Sequence, residues 1–151
     1  MNVAKLCREN VVTIRQSEEL TAAAELMRER HIGYLVVVEP EFADGSLKPI
    51  GVLTDRDIVV TVVARQTDPR TLRVGDVMTR GPVLAAETDS LDKALGSMRR
   101  IGVRRLPVVG KRGELVGVLS LDDIIDALAG ELANVAGSIR NEQRIEGTLR
   151  P

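Results

Sequence analysis

The chain is written twice, and this constrains its fold more than any other property of the sequence. Displaced by 71 residues, the two halves align without a gap from Val3 to Glu39. The alignment pairs Val3 with Val74, Val12 with Val83, Leu20 with Leu91, Ala23 with Ala94, Met27 with Met98 and Leu35 with Leu106. Beyond this stretch the displacement falls to 66, because "EPEFADGSLKPI" is five residues longer than "GKRGELV". The match then resumes with Gly51/Gly117, Val52/Val118, Leu53/Leu119, Asp57/Asp123 and Ile58/Ile124. Repetition on this scale makes each copy one supersecondary unit that needs a neighbour to cover its apolar face.

Each copy reads β-α-β-β-α. A short strand (Val11 to Ile14; Val83 to Ala85) leads to a polar group placed to cap a helix, Ser17 or Thr88. The helix carries Leu20, Ala23, Ala24 and Met27 on one face, matched by Leu91, Ala94, Leu95 and Met98. His31 is expected to end the first of these helices. Two strands follow in each copy, "YLVVVE" and "PIGVLT", then "RRLPVV" and "LVGVLS". A closing helix is expected to bury Ile58, Val59, Val62 and Val63, or Ile124, Ile125 and Leu128. A unit of about 60 residues buries little surface alone, so the expectation is an α+β fold with the two copies face to face. The first copy takes residues 1–64 and the second 74–134. Between them "RQTDPRTLR" (65–73) is a linker in which Pro69 blocks helix continuation. Residues 135–151 form a tail that either extends the last helix or frays.

Composition narrows the functions. With 151 residues, 44% hydrophobic and net charge −1, the chain fits one soluble domain or two small ones sharing a core. No apolar run approaches the roughly 20 residues of a membrane span. The start, "MNVAKLCREN", lacks the apolar centre of a secretory signal, so a cytoplasmic location is expected. Cys7 and His31 are the only residues of their kinds, which excludes a disulfide within the chain and leaves no Cys/His metal set. Cys7 reads as a small buried hydrophobe. Near-neutral charge, with Tyr34 and Phe42 the only aromatics, argues against nucleic-acid binding. No Gly-rich phosphate loop and no paired nucleophile and base are present, so enzymatic activity is not expected.

The repeated "GVLTDRDI" and "GVLSLDDI" place Thr54 and Asp57, or Ser120 and Asp123, where a strand runs into a helix. Such groups cap a first turn.

Taken with "VGDVMTRGPV" and "RRLPVVG", these endings resemble a tandem cystathionine-β-synthase (CBS) domain pair, a Bateman module, over roughly residues 3–134. The first copy departs from the pattern at Val36, where the second has Pro107, and in "AKLCREN", where the second has "GDVMTRG". The resemblance implies two repeats related by a pseudo-two-fold axis and a regulatory module that binds AMP, ADP, ATP or S-adenosylmethionine, with no other cofactor and no metal. It implies that Thr54, Asp57, Ser120 and Asp123 hold ribose and phosphate, and that Arg104 and Arg105 reach phosphates in the crevice between repeats. The alternative for both arginines is a solvated strand start. Arg56 either assists them or pairs with a neighbouring acid. Adenine would lie between aliphatic side chains, for which Val12, Val83, Val36 and Pro107 are the candidates. The resemblance also implies a homodimer, with Val59, Val63 and Leu128 as candidates for its apolar face, and a regulated partner protein. The competing reading is a dimerisation and interaction module without ligand.

Overall fold

Two small sheets follow from the strand pairs, and their registers repeat between copies. The structure, a computed structural model, describes residues 1–150. Strand β1 (Thr13–Ile14) lies parallel to β2 (Tyr34–Pro40), which pairs antiparallel with β3 (Leu47–Thr54). A short β4 (Thr79–Arg80) completes the order β1-β2-β3-β4. The second sheet has the order β5-β6-β7, from Ala85–Ala86, Arg105–Val109 and Leu115–Ser120. Register breaks at equivalent points, between Val37 and Val38 and between Val108 and Val109. The first strands begin two residues later than the sequence suggests, at Thr13 and Ala85, and turns follow Ile14 and Ala86.

Those turns also move the helix caps. The Glu18 N–H donates to the Arg15 carbonyl at 3.2 Å and the Asp89 N–H to the Ala86 carbonyl at 2.9 Å. Helix α2 (Leu20–Arg30) therefore begins after Glu19, which gives no side-chain cap. The Leu20 N–H instead reaches the Leu72 carbonyl at 3.1 Å. Helix α5 (Leu91–Ile101) begins after Ser90, whose hydroxyl accepts from the Lys93 N–H at 3.2 Å. Ser17 and Thr88 are not the caps. His31 does end α2, in a left-handed conformation (φ 54°) that Gly102 adopts in the second copy (φ 70°).

The closing helices differ in length. Helix α3 (Asp55–Ile58) runs into a π-helical turn over Val59–Ala64, whereas α6 runs unbroken from Leu121 to Leu149 and so takes up the tail as far as Leu149. Only Ile124 is fully buried, and Ile58 and Val62 are partly covered. Val59 (55%), Val63 (69%), Ile125 (60%) and Leu128 (41%) remain exposed, contrary to their expected burial in the core. Each helix lays one face on its sheet. The residue after an inward one is turned by about 100° and faces outward. Among the described residues, no helix is long and apolar enough to cross a membrane.

The two cores exchange their opening segments. Ile14, Leu20, Ala23, Met27, Leu35, Val37 and Leu53 form one core, which is closed by Val74 and Met78 from the start of the second copy. Ala85, Ala94, Met98, Leu106, Val108, Leu119 and Ile124 form the other, closed by Val3 from the start of the first. Val3 belongs to helix α1 (Val3–Leu6) and Val74 to α4 (Val74–Val77), and both side chains are wholly buried. Each such valine contributes about 1.5–3 kcal/mol of apolar burial to a core made mostly by the other copy. Backbone pairing follows the same exchange. Thr79 bridges Val52 in the first sheet, and Arg8 bridges Val118 in the second.

Candidate ligand-binding clefts

At the end of β3, Thr54 is extended and caps α3. Its hydroxyl accepts from the Asp57 N–H at 3.2 Å, and Asp57 Oδ2 accepts from the Thr54 N–H at 2.9 Å. Ser120 does the same after β7, accepting from the Asp123 N–H at 3.1 Å. Its hydroxyl also donates to Asp123 Oδ2 at 2.6 Å. Both motifs are thus helix caps, and their polar groups line two clefts between the copies.

The larger cleft, about 640 Å³, brings together Thr54, Arg56 and Asp57 from the first copy with Val83, Arg104, Arg105 and Pro107 from the second. The smaller, about 400 Å³, joins Ser120 and Asp123 to Val12, Arg8 and Arg105. Three of the four aliphatic candidates therefore face the carboxylate of the opposite copy, Val83 and Pro107 with Asp57 and Val12 with Asp123. Val36 lies in β2 between Thr13 and Val52, has no exposed surface, and lines neither cleft. Gly33, Tyr34 and Arg105 line both.

Arg105 stands over the Tyr34 ring, 5.7 Å from its centroid. Arg104 reaches the Asp122 carboxylate at 3.0 Å, on the exposed rim. Arg56 shows no side-chain ion pair among the described residues, and its backbone N–H donates to Asp55 Oδ1 at 2.8 Å. Asp55 packs against Gly33, where a Cβ would come within 2.7 Å of its carboxyl carbon. No trio of residues suited to holding a metal ion occurs among those described.

Sequence reasoning missed Arg8, Tyr34 and Gly33. Arg8 Nε donates to Asp123 Oδ1 at 2.7 Å, and a second guanidinium nitrogen lies 2.6 Å from the same oxygen. Burial pushes the Asp123 carboxyl up, but the Ser120 hydroxyl and then Arg8 outweigh it and hold it below the ordinary aspartate value. Arg8 aligns with Thr79, so the repeat itself gave no reason to look there for a charge. Tyr34 aligns with Arg105, and that pairing was a usable signal, since equivalent residues meet at a pseudo-two-fold axis. Cys7 is half-buried beside Gly117, and burial raises its thiol pKa, as suits a packing residue.

Comparison with known proteins places this arrangement. The CBS domain family matches residues 3–64 and 74–130. The protein MK0525 of Methanopyrus kandleri is 33% identical over 126 residues, which is 83% of this chain and 61% of that protein. This chain thus spans less than two thirds of that relative's length. The CBS domain-containing protein YhcV of Bacillus subtilis is 34% identical over 136 residues, covering 89% of this chain and 91% of YhcV. Among solved structures, CBSX2 in complex with AMP superposes with a TM-score of 0.69 at 26% identity, covering 85% of this chain and 96% of CBSX2. Two matched repeats, exchanged in the cores and opposed across paired clefts, make this chain a member of the CBS domain family, as a tandem CBS pair.

Proposed function

We propose that the chain is a regulatory module that binds an adenosine-containing ligand, AMP, ADP, ATP or S-adenosylmethionine, and passes its occupancy to a partner protein. One observation carries this reading: the larger cleft gathers a diol-binding carboxylate (Asp57), a cap hydroxyl (Thr54), three arginines and an aliphatic wall from both copies. Ribose, phosphate and adenine each have a chemically suited group there. The AMP complex of the similar protein CBSX2 supports the choice of ligand. The repeats take residues 1–64 and 74–134, joined by 65–73, and the tail follows at 135–151. The module works in the cytoplasm, is not an enzyme, and needs no cofactor beyond the ligand it senses.

A ligand that binds only the native state raises stability by about 2.7 kcal/mol at a hundredfold excess over Kd. Melting curves with AMP, ADP, ATP and S-adenosylmethionine should therefore show one clear upward shift, confirmed by calorimetry. If none of the four moves the transition, the sensor reading fails.

A second reading, self-association without ligand, draws support from α6. Ile125, Leu128, Leu132, Val135 and Ile139 are all exposed and recur three or four residues apart, the spacing of a helix seam. We assign this face, with Val59 and Val63, to a homodimer. Light scattering at micromolar concentration should give twice the chain mass, and a monomer would refute the dimer.

A further inference from the structure

The two clefts are equivalent in sequence but not in charge. In the first, Asp57 Oδ2 holds the Thr54 N–H, and no side chain among the described residues hydrogen-bonds to the carboxylate. Thr79, uncharged, occupies the position that corresponds to Arg8. In the second cleft both carboxylate oxygens of Asp123 are engaged, Oδ1 by Arg8 and Oδ2 by the Ser120 hydroxyl. The Arg8 N–H donates to the Val118 carbonyl at 2.9 Å and its carbonyl accepts from the Val118 N–H at 3.0 Å, which fixes its backbone beside β7 and keeps the exposed guanidinium within reach of Asp123. A ribose diol that takes Asp123 as its acceptor competes there with the guanidinium, as it does not at Asp57.

We infer that Arg8 is a specificity-determining residue that holds the Ser120–Asp123 cleft closed to ribose, so that the free protein takes its first ligand in the Thr54–Asp57 cleft alone. This rests on the adenosine-ligand reading above and deepens it, because it ranks the two clefts and names the residue that ranks them. Of the paired positions here, Arg8/Thr79, Asn10/Gly81 and Val11/Pro82, only the first differs in charge. The order of filling is therefore set by the N-terminal segment, which the exchange of opening segments brings to the second copy.

The test is calorimetry with adenosine, which carries the diol but no phosphate, and with AMP, on the full chain and on Arg8→Gln. The backbone bridge to Val118 survives this change, and an unaltered melting curve verifies the fold. Arg8→Lys serves as a second variant that keeps a cation while losing the guanidinium fork. In the parent, adenosine should fill one site, removed by Asp57→Asn. In Arg8→Gln a second site should appear, or tighten roughly tenfold, with the first unchanged and with Asp123→Asn abolishing the gain. Arg8→Lys should fall between the two. Unchanged or weakened second-site binding in Arg8→Gln, with the first site intact, overturns the closure while leaving the adenosine reading standing. Absence of binding at both sites in every variant overturns the adenosine reading and this inference together.

Discussion

Arg105 lies over the ring of Tyr34, 5.7 Å from its centroid, although the two residues hold equivalent positions in the two copies. They meet where the pseudo-two-fold axis passes between the clefts, and each lines both. A cation on an aromatic face keeps most of its charge available to a third group. Arg105→Ala should therefore lower AMP affinity roughly tenfold while leaving adenosine binding little changed. Raising the salt concentration should narrow the difference between AMP and adenosine in the parent. An AMP-to-adenosine ratio unaltered by the substitution would return Arg105 to the solvated-surface reading.

The Tyr34 hydroxyl is buried with no hydrogen-bond partner among the described residues, and burial pushes its pKa up. An unsatisfied buried hydroxyl costs about 1–3 kcal/mol. Tyr34→Phe keeps the ring beneath Arg105 and should raise stability by about 1 kcal/mol, or roughly 2–4 °C in melting temperature for a chain of this size. A lower melting temperature would show that the oxygen has a partner.

Gly117 marks the contact of the N-terminal segment with the second sheet. A Cβ there would lie 2.9 Å from both the Arg8 carbonyl oxygen and Cys7 Sγ. The first of these is backbone and cannot turn aside. Gly117→Ala should destabilise the protein by about 1–3 kcal/mol in urea denaturation. Hydrogen exchange should show the loss of protection centred on the Arg8 and Val118 amides. Protection lost evenly over the whole chain would argue against local displacement.

The hairpin tips of the two copies are tied by Arg112, which reaches Asp44 Oδ2 at 2.9 Å and lies 4.9 Å from the Phe42 centroid. The Ser46 side chain and N–H, and then Arg112, hold the Asp44 carboxyl down at about 2. An unfolded aspartate titrates near about 3.9. Because the folded value is the lower one, the contribution of Asp44 is complete above about pH 4 and is lost as pH falls towards about 2. The stability difference between the parent and Asp44→Asn should shrink over that window. Carboxyl-carbon NMR should place the Asp44 midpoint well below those of the other aspartates, and an ordinary midpoint would refute the assignment.

The repeat, the strand pairs and the Thr/Ser-x-x-Asp caps were legible in the sequence because they are local. Helix and strand periodicity show in windows of a few residues, and Thr54–Asp57 and Ser120–Asp123 close within one helical turn. Even the end of α2 at His31 was readable. The placement of Val3 and Val74 was not. Alignment pairs each with its own copy, yet Val3 closes the second core and Val74 the first, since a short segment buries its apolar side chain wherever a complementary gap lies. That exchange alone puts Arg8 within 2.6 Å of Asp123, a partner 115 residues away, and sets Val12 and Val83 against the carboxylates of the opposite copies. The repeated local patterns encode two equivalent half-sites. Packing of the two copies selects which chain segments complete each one and so makes them unequal, because contacts across that separation are encoded in no local pattern of residues.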